Sequence, residues 1–140
     1  ADGLKKHLDL ICAEAEKSVR DGASILILSD WDIDANHAAI PMLLATGAVH
    51  HHLIRADVRS RASLMCETSE CRDTHQIACL IGYGASAVNP YAAFATLNDL
   101  LTRGELKVGA QVAILRAKRK LDGTWETDRI TVGRGGAIPD

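Results

Sequence analysis

The segment Ser24-Ile25-Leu26-Ile27-Leu28-Ser29-Asp30 decides how the chain folds. It is an unbroken aliphatic run with polar ends, too short for a helix of its own. An apolar run without alternation is the pattern of a strand buried on both faces of a parallel sheet. The preceding text agrees with that reading. Leu4, Leu8, Ile11, Cys12, Ala15 and Val19 recur at helical intervals opposite a polar face over residues 4–20. Asp21-Gly22 then stops the helix, because glycine accepts the left-handed conformation of a C-terminal cap.

Outward from the strand, helix and strand alternate. Residues 31–39 read as a polar loop, and Pro41 suits the first turn of a helix that continues to Arg55. Residues 60–67 read as a second strand and 68–70 as a loop. Asp73 is placed to cap a helix over 74–83, which Gly82-Tyr83-Gly84 ends. Residues 85–90 form a third short strand. A last helix over 91–101 is expected to carry Phe94, Leu97, Leu100 and Leu101 on one face. The order predicts an α/β fold: a three-layer-like parallel sheet with flanking helices, βαβαβα after an N-terminal helix, with right-handed crossovers.

The character changes after Gly104. Residues 110–120 and 124–132 are β-rich around Leu121-Asp122-Gly123, and Asp-Gly is a hairpin signal. The expected organisation is an α/β domain over residues 1–109, then a hairpin extension with a loose end over 110–140. Such a ribbon has an edge to offer, so pairing with a second copy of the chain is a natural expectation.

Composition narrows the function classes. The 140 residues suit one domain of ordinary size, and a net charge of -2 gives no reason to expect nucleic-acid binding. No apolar stretch reaches the roughly 20 residues that span a bilayer, so no membrane partner is expected. The N-terminal text has no signal-peptide core after its charges. The expected compartment is the cytoplasm. Of the four cysteines, Cys12 and Cys79 lie in apolar patterns, while Cys66 and Cys71 flank a loop with neither redox nor cluster spacing. No metal site is expected.

Parallel sheets place their binding sites at the carboxyl ends of the strands. That edge would carry Asp30, Asp32, Asp34 and His37 after the first strand, Glu67 and then His75 after the second, and Asn89 after the third. A histidine among carboxylates suits acid–base work near neutral pH. The same residue types are ordinary caps and loop polars. The acids of residues 30–36 resemble a calcium loop, but Ala35 and Pro41 stand where glycine and glutamate are needed; Asp34 or Asn36 capping the next helix is the simpler reading. His50-His51-His52 cannot converge on one ion without outside ligands, since adjacent helical residues point about 100° apart. No catalytic residue is assigned.

Several separate words carry a family likeness. Residues 22–30, Asn36-His37-Ala38-Ala39-Ile40-Pro41, residues 47–55, the strand around Arg61, Gly82-Tyr83-Gly84-Ala85 and Val88-Asn89-Pro90-Tyr91 with Phe94 occur in order. Together they resemble the central domain of the glutamate synthase large subunit, over residues 1–108; the text from 110 to 140 has no counterpart in that resemblance. The family implies an oxidoreductase that makes glutamate from glutamine and 2-oxoglutarate. One domain releases ammonia with an N-terminal cysteine, and a barrel domain carries FMN and an iron–sulfur cluster. The resemblance therefore implies no cofactor in this chain, other glutamate synthase domains as partners, and a non-catalytic scaffold role near the ammonia tunnel. Trp31-Asp32, Ser69-Glu70-Cys71 and Gln76 depart from the family's usual text. Two alternatives stay open: a small-molecule or metal-binding module built on the strand-end loops, and an engineered structural or interaction protein.

Overall fold

The structure, a computed structural model, describes residues 2–34, 36–107, 112–119 and 125–132. Its elements are α1 (Asp2–Arg20), β1 (Ile25–Ser29), α2 (Met42–Arg55), a 3-10 turn (Arg59–Arg61), β2 (Ser63–Glu67), α3 (Thr74–Gly82), β3 (Ala87–Asn89), α4 (Tyr91–Thr102), β4 (Val112–Arg119) and β5 (Trp125–Val132). The predicted α/β order is the observed one. The elements group into two compact units, residues 1–68 with 77–89, and residues 69–76 with 90–140.

The first unit is built on a parallel sheet of order β1-β2-β3. Ile25 pairs with Ser63 and Ser29 with Glu67, and Glu67 pairs in turn with Asn89. Strand order follows chain order, so right-handed crossovers carry their helices to the same face of the sheet. That face presents Leu26, Leu28 and Leu64 to a core of Cys12, Ala15 and Val19 from α1, Val49 and Leu53 from α2, and Val58 and Ala62. Leu53, Leu64 and Val49 are fully buried, and each such side chain stabilises the fold by about 1.5–3 kcal/mol. Glu16 adds a polar tie between the two helices. Its carboxylate accepts from Arg20 Nε at 2.8 Å and from His52 Nε2 at 2.7 Å, while Arg20 also reaches the Ala56 carbonyl.

The opposite face corrects the reading of the aliphatic run. Ile25 is 57% and Ile27 63% exposed, so β1 is buried on one face only. The reason is topological: β1 is an edge strand, and a sheet wound in one direction gathers its helices on one side. The second strand also starts later than expected. Arg59–Arg61 forms a 3-10 turn because the Arg59 guanidinium is tied down, donating to the Ala62 carbonyl at 2.6 Å and the Gly84 carbonyl at 2.7 Å.

Each helix ends in the same hydrogen-bonded cap. After α1, Ala23 N–H donates to the Ser18 carbonyl and Gly22 N–H to Val19, with Gly22 at φ +104. This is the Schellman arrangement, and the left-handed residue it needs is usually glycine. α3 repeats it with Gly84 at φ +114 and α4 with Gly104, whereas α2 uses Asp57 at φ 58.

In the second unit, Asp73 caps α3 as expected. Gln76 N–H donates to Asp73 Oδ1 at 2.8 Å, and Gln76 Oε1 accepts from Arg72 N–H at 2.7 Å. Gln76 therefore completes a near-reciprocal cap. α4 turns differently from its apolar pattern. Tyr91, Ala92, Ala93, Thr96 and Leu100 are buried, while Phe94 is 58% and Leu101 42% exposed. Small residues at 92, 93 and 96 allow close backbone approach, and Thr96 returns its hydroxyl to the Ala92 carbonyl at 2.8 Å. α4 lies against an antiparallel ribbon in which Val112 pairs with Val132 and Lys118 with Glu126. The turn expected at Asp122-Gly123 and the expected loose end, residues 133–140, lie outside the described residues. No described helix is long and apolar enough to cross a membrane.

Candidate functional site at the carboxyl edge of the sheet

The parallel register brings three strand ends level. Ser29, Glu67 and Asn89 are direct neighbours across β1, β2 and β3. Ser29 Oγ donates to Glu67 Oε2 at 2.6 Å, and Asn89 Nδ2 donates to Glu67 Oε1 at 3.2 Å. Both carboxylate oxygens are thus engaged by neighbouring strands. Ser29 Oγ in turn accepts from Trp31 N–H at 3.2 Å, which starts the loop after β1. A carboxylate held this way ties strand ends together, and each oxygen, with one bond accepted, keeps a further acceptor site.

One residue further on, a second row repeats the pattern inside the fold. Asp30 is 6% exposed and Thr68 fully buried. Thr68 Oγ1 donates to Asp30 Oδ2 at 2.7 Å, Asp30 N–H donates to the Glu67 carbonyl, and Thr68 N–H donates to the Asn89 carbonyl. A buried carboxylate without such donors would be costly.

Asp34 and His37 form a separate cluster in the exposed loop. Asp34 Oδ1 accepts from Asn36 N–H at 2.7 Å, His37 N–H at 2.9 Å and the His37 ring at 2.8 Å. The backbone bond from Asn36, then the His37 side chain, holds the Asp34 carboxyl below its ordinary range. Asp34 therefore closes a turn within the loop and does not cap α2. That helix begins after Pro41, which has no side-chain capping bond.

Of the residues predicted for a site, Glu67 and Asn89 meet directly and Asp30 joins them through the backbone. Asp34 and His37 pair with each other. Asp30, Asp32 and His37 line a cleft of about 460 Å³ that runs along β1, with Ile11, Ala15 and Ser18 of α1 on its wall. His75 belongs to the second unit, in the first turn of α3. Among the described residues, no group of three or more His, Cys, Asp or Glu is arranged to hold a metal ion. Cys66 is buried, and its thiol, within 3.2 Å of Thr46 Oγ1, is pushed up by desolvation.

Two partners escaped the sequence reading. Ser29 and Thr68, neither of them among the expected site residues, supply the hydroxyls that engage Glu67 and Asp30. Aligning the polar ends of successive strands, Ser29-Asp30 against Glu67-Thr68, would have found both.

Residues 1–124 match the model of the glutamate synthase central domain, so the match passes the expected limit near 108 and takes in β4. The chain is 50% identical over 95 residues to the ferredoxin-dependent glutamate synthase of Pyropia yezoensis, covering 66% of this chain and 6% of that protein. It is 40% identical over 114 residues to the glutamate synthase [NADPH] large chain of Bacillus subtilis, covering 81% and 8%. With the glutamate synthase [NADH] of Schizosaccharomyces pombe it shares 35% identity over 123 residues, covering 86% and 6%. The chain thus spans under a tenth of each of these relatives. With the family model matching its whole α/β portion and the first strand of the ribbon, the chain belongs to the glutamate synthase central domain family.

Proposed function

We propose that this chain is a non-catalytic scaffold element of a glutamate synthase, serving glutamate formation by carrying neighbouring domains and not by reacting itself. The observation that carries the reading is the carboxyl edge of the sheet. Where an α/β fold ordinarily presents reactive groups, Glu67 has both oxygens engaged by Ser29 and Asn89, and Asp30 accepts from Thr68. The relatives are named as glutamate synthases and are far longer than the matched segment, which supports other domains of such an enzyme as the partners. In this reading FMN and the iron–sulfur cluster reside in another domain, this chain holds neither, and it works in the cytoplasm.

The test is direct. The purified chain is expected to be colourless, to release no ammonia from glutamine, and to form no glutamate from glutamine and 2-oxoglutarate with a reductant. A copurifying flavin spectrum, or turnover of glutamine that Glu67→Gln abolishes, would overturn the proposal.

A further inference from the structure

We infer that the free edge of β1 is a receptor for one more parallel strand, supplied by the polypeptide segment that leads into α1 in a longer glutamate synthase chain. The inference rests on the scaffold reading for the source of the strand. Its geometry comes from three separate features of the first unit.

The first is the backbone. Ser63 N–H donates to the Ser24 carbonyl and Asp30 N–H donates to the Glu67 carbonyl, so the even-numbered residues of β1 face β2. Alternation then turns the N–H and C=O groups of Ile25, Ile27 and Ser29 toward the free edge. Among the described residues no backbone group pairs with them. An edge of this length is ordinarily blunted by charge, proline or a bulge; β1 reads Ile-Leu-Ile-Leu-Ser and has none of these.

The second is the placement of α1. It packs through Cys12, Ala15 and Val19 on the same sheet face as Val49 and Leu53 of α2, against Leu26 and Leu28. In a sheet wound in one direction by right-handed crossovers, α2 links β1 to β2 from this face. α1 occupies the equivalent position one step back. It lies where the crossover from a strand beside β1 would run, which makes that added strand parallel to β1 and first in the order.

The third is the cleft. Along β1 it is lined by Ile11, Ala15 and Ser18 of α1 and by residues 37–40. An entering strand would place alternate side chains between α1 and β1, and the others beside Ile25 and Ile27 on the open face. Apolar residues at both sets of positions fit, since both surroundings are aliphatic. Glu14, Asp30 and Asp32 stand among the lining residues and favour a basic residue over an acidic one beside them.

Amide hydrogen exchange tests this on the chain alone and on the complete large chain that carries it. In the isolated chain Ile25, Ile27 and Ser29 are expected to exchange much faster than Leu26 and Leu28, whose amides face β2. In the complete chain the three outward amides should slow by at least about tenfold. Equal rates in both proteins would overturn the inference. So would protection in the isolated chain that grows with its concentration, the signature of a second copy on the edge. Ile27→Pro gives an independent reading, because it removes an outward N–H and leaves the β2 ladder intact. It should lower the melting temperature of the complete chain and hardly that of the isolated one; equal effects in the two would count against the strand. A flavin or glutaminase signal from the isolated chain would sink the scaffold reading alone, without touching the exchange result.

Discussion

Arg59 donates its Nε hydrogen to Nδ1 of His50 across 2.9 Å, and the same guanidinium holds the Ala62 and Gly84 carbonyls. The bond requires a bare Nδ1, so it selects the neutral imidazole. Partial burial, then Arg59 and His51, lower the tendency of His50 to protonate below the ordinary 6.5. The groups that face it are Arg59 from the 3-10 turn, His51 from its own helix and the Gly84 backbone. Below about pH 6.5 the unfolded chain takes up a proton that the folded chain resists, so stability is full above that pH and declines as pH falls through the lowered folded value. Thermal melts between about pH 7.5 and pH 5 should show this decline. His50→Gln, whose side-chain oxygen still accepts from Arg59, should flatten it.

Gly84 and Gly22 separate two reasons for glycine. Both have positive φ, but a Cβ on Gly84 would fall on the His50 ring, whereas one on Gly22 meets nothing within 4 Å. Gly22→Ala should cost about 1–2 kcal/mol for the left-handed backbone alone. Gly84→Ala should cost more, by roughly 1–3 kcal/mol of overpacking. In the double variant with His50→Ala the excess should shrink, which denaturant titration of the mutant cycle would measure.

Asp57 is the non-glycine residue in the left-handed region at the end of α2. Asp57→Gly should raise stability by about 0.5–1 kcal/mol, the relief of the backbone penalty less the greater freedom of glycine in the unfolded chain. A rise in urea midpoint at unchanged slope is the expected result. A fall would mean that the Asp57 side chain contributes a contact of its own.

The Ser29–Glu67–Asn89 row makes a prediction about stability and none about turnover. Ser29→Ala and Asn89→Ala should each lose about 0.5–1.5 kcal/mol, with Glu67→Ala at or above the larger of the two. Because the three side chains share one carboxylate, the double variant Ser29→Ala with Asn89→Ala should depart from additivity in equilibrium unfolding.

The helix–strand order was legible because Gly22, Pro41, Asp73 and Gly84 punctuate it and the aliphatic runs between them are too short for anything but strands. Burial was less so. The sequence of β1 reads the same whether one face or two are covered, and only strand order settles that Ile25 and Ile27 are outside. α4 shows a related limit: Phe94 is a strongly apolar candidate for its inner face, yet it is exposed while Ala92 and Thr96 are buried. At the candidate site the acids were found together with Asn89 and His37, but the hydroxyl partners Ser29 and Thr68 were not. A serine or threonine at a strand end carries no mark of the carboxylate it will meet, until the register sets Ser29 beside Glu67 and Asp30 beside Thr68.

The aliphatic character of the first unit's core has an optical consequence. Cys12, Ala15, Val19, Val49, Leu53, Val58, Ala62 and Leu64 contain no ring, and Trp31 is 53% exposed in the native fold. More than half of its surface already meets water. Loss of this core would therefore pass almost unseen by Trp31 fluorescence and would register in the far-ultraviolet dichroism of its helices.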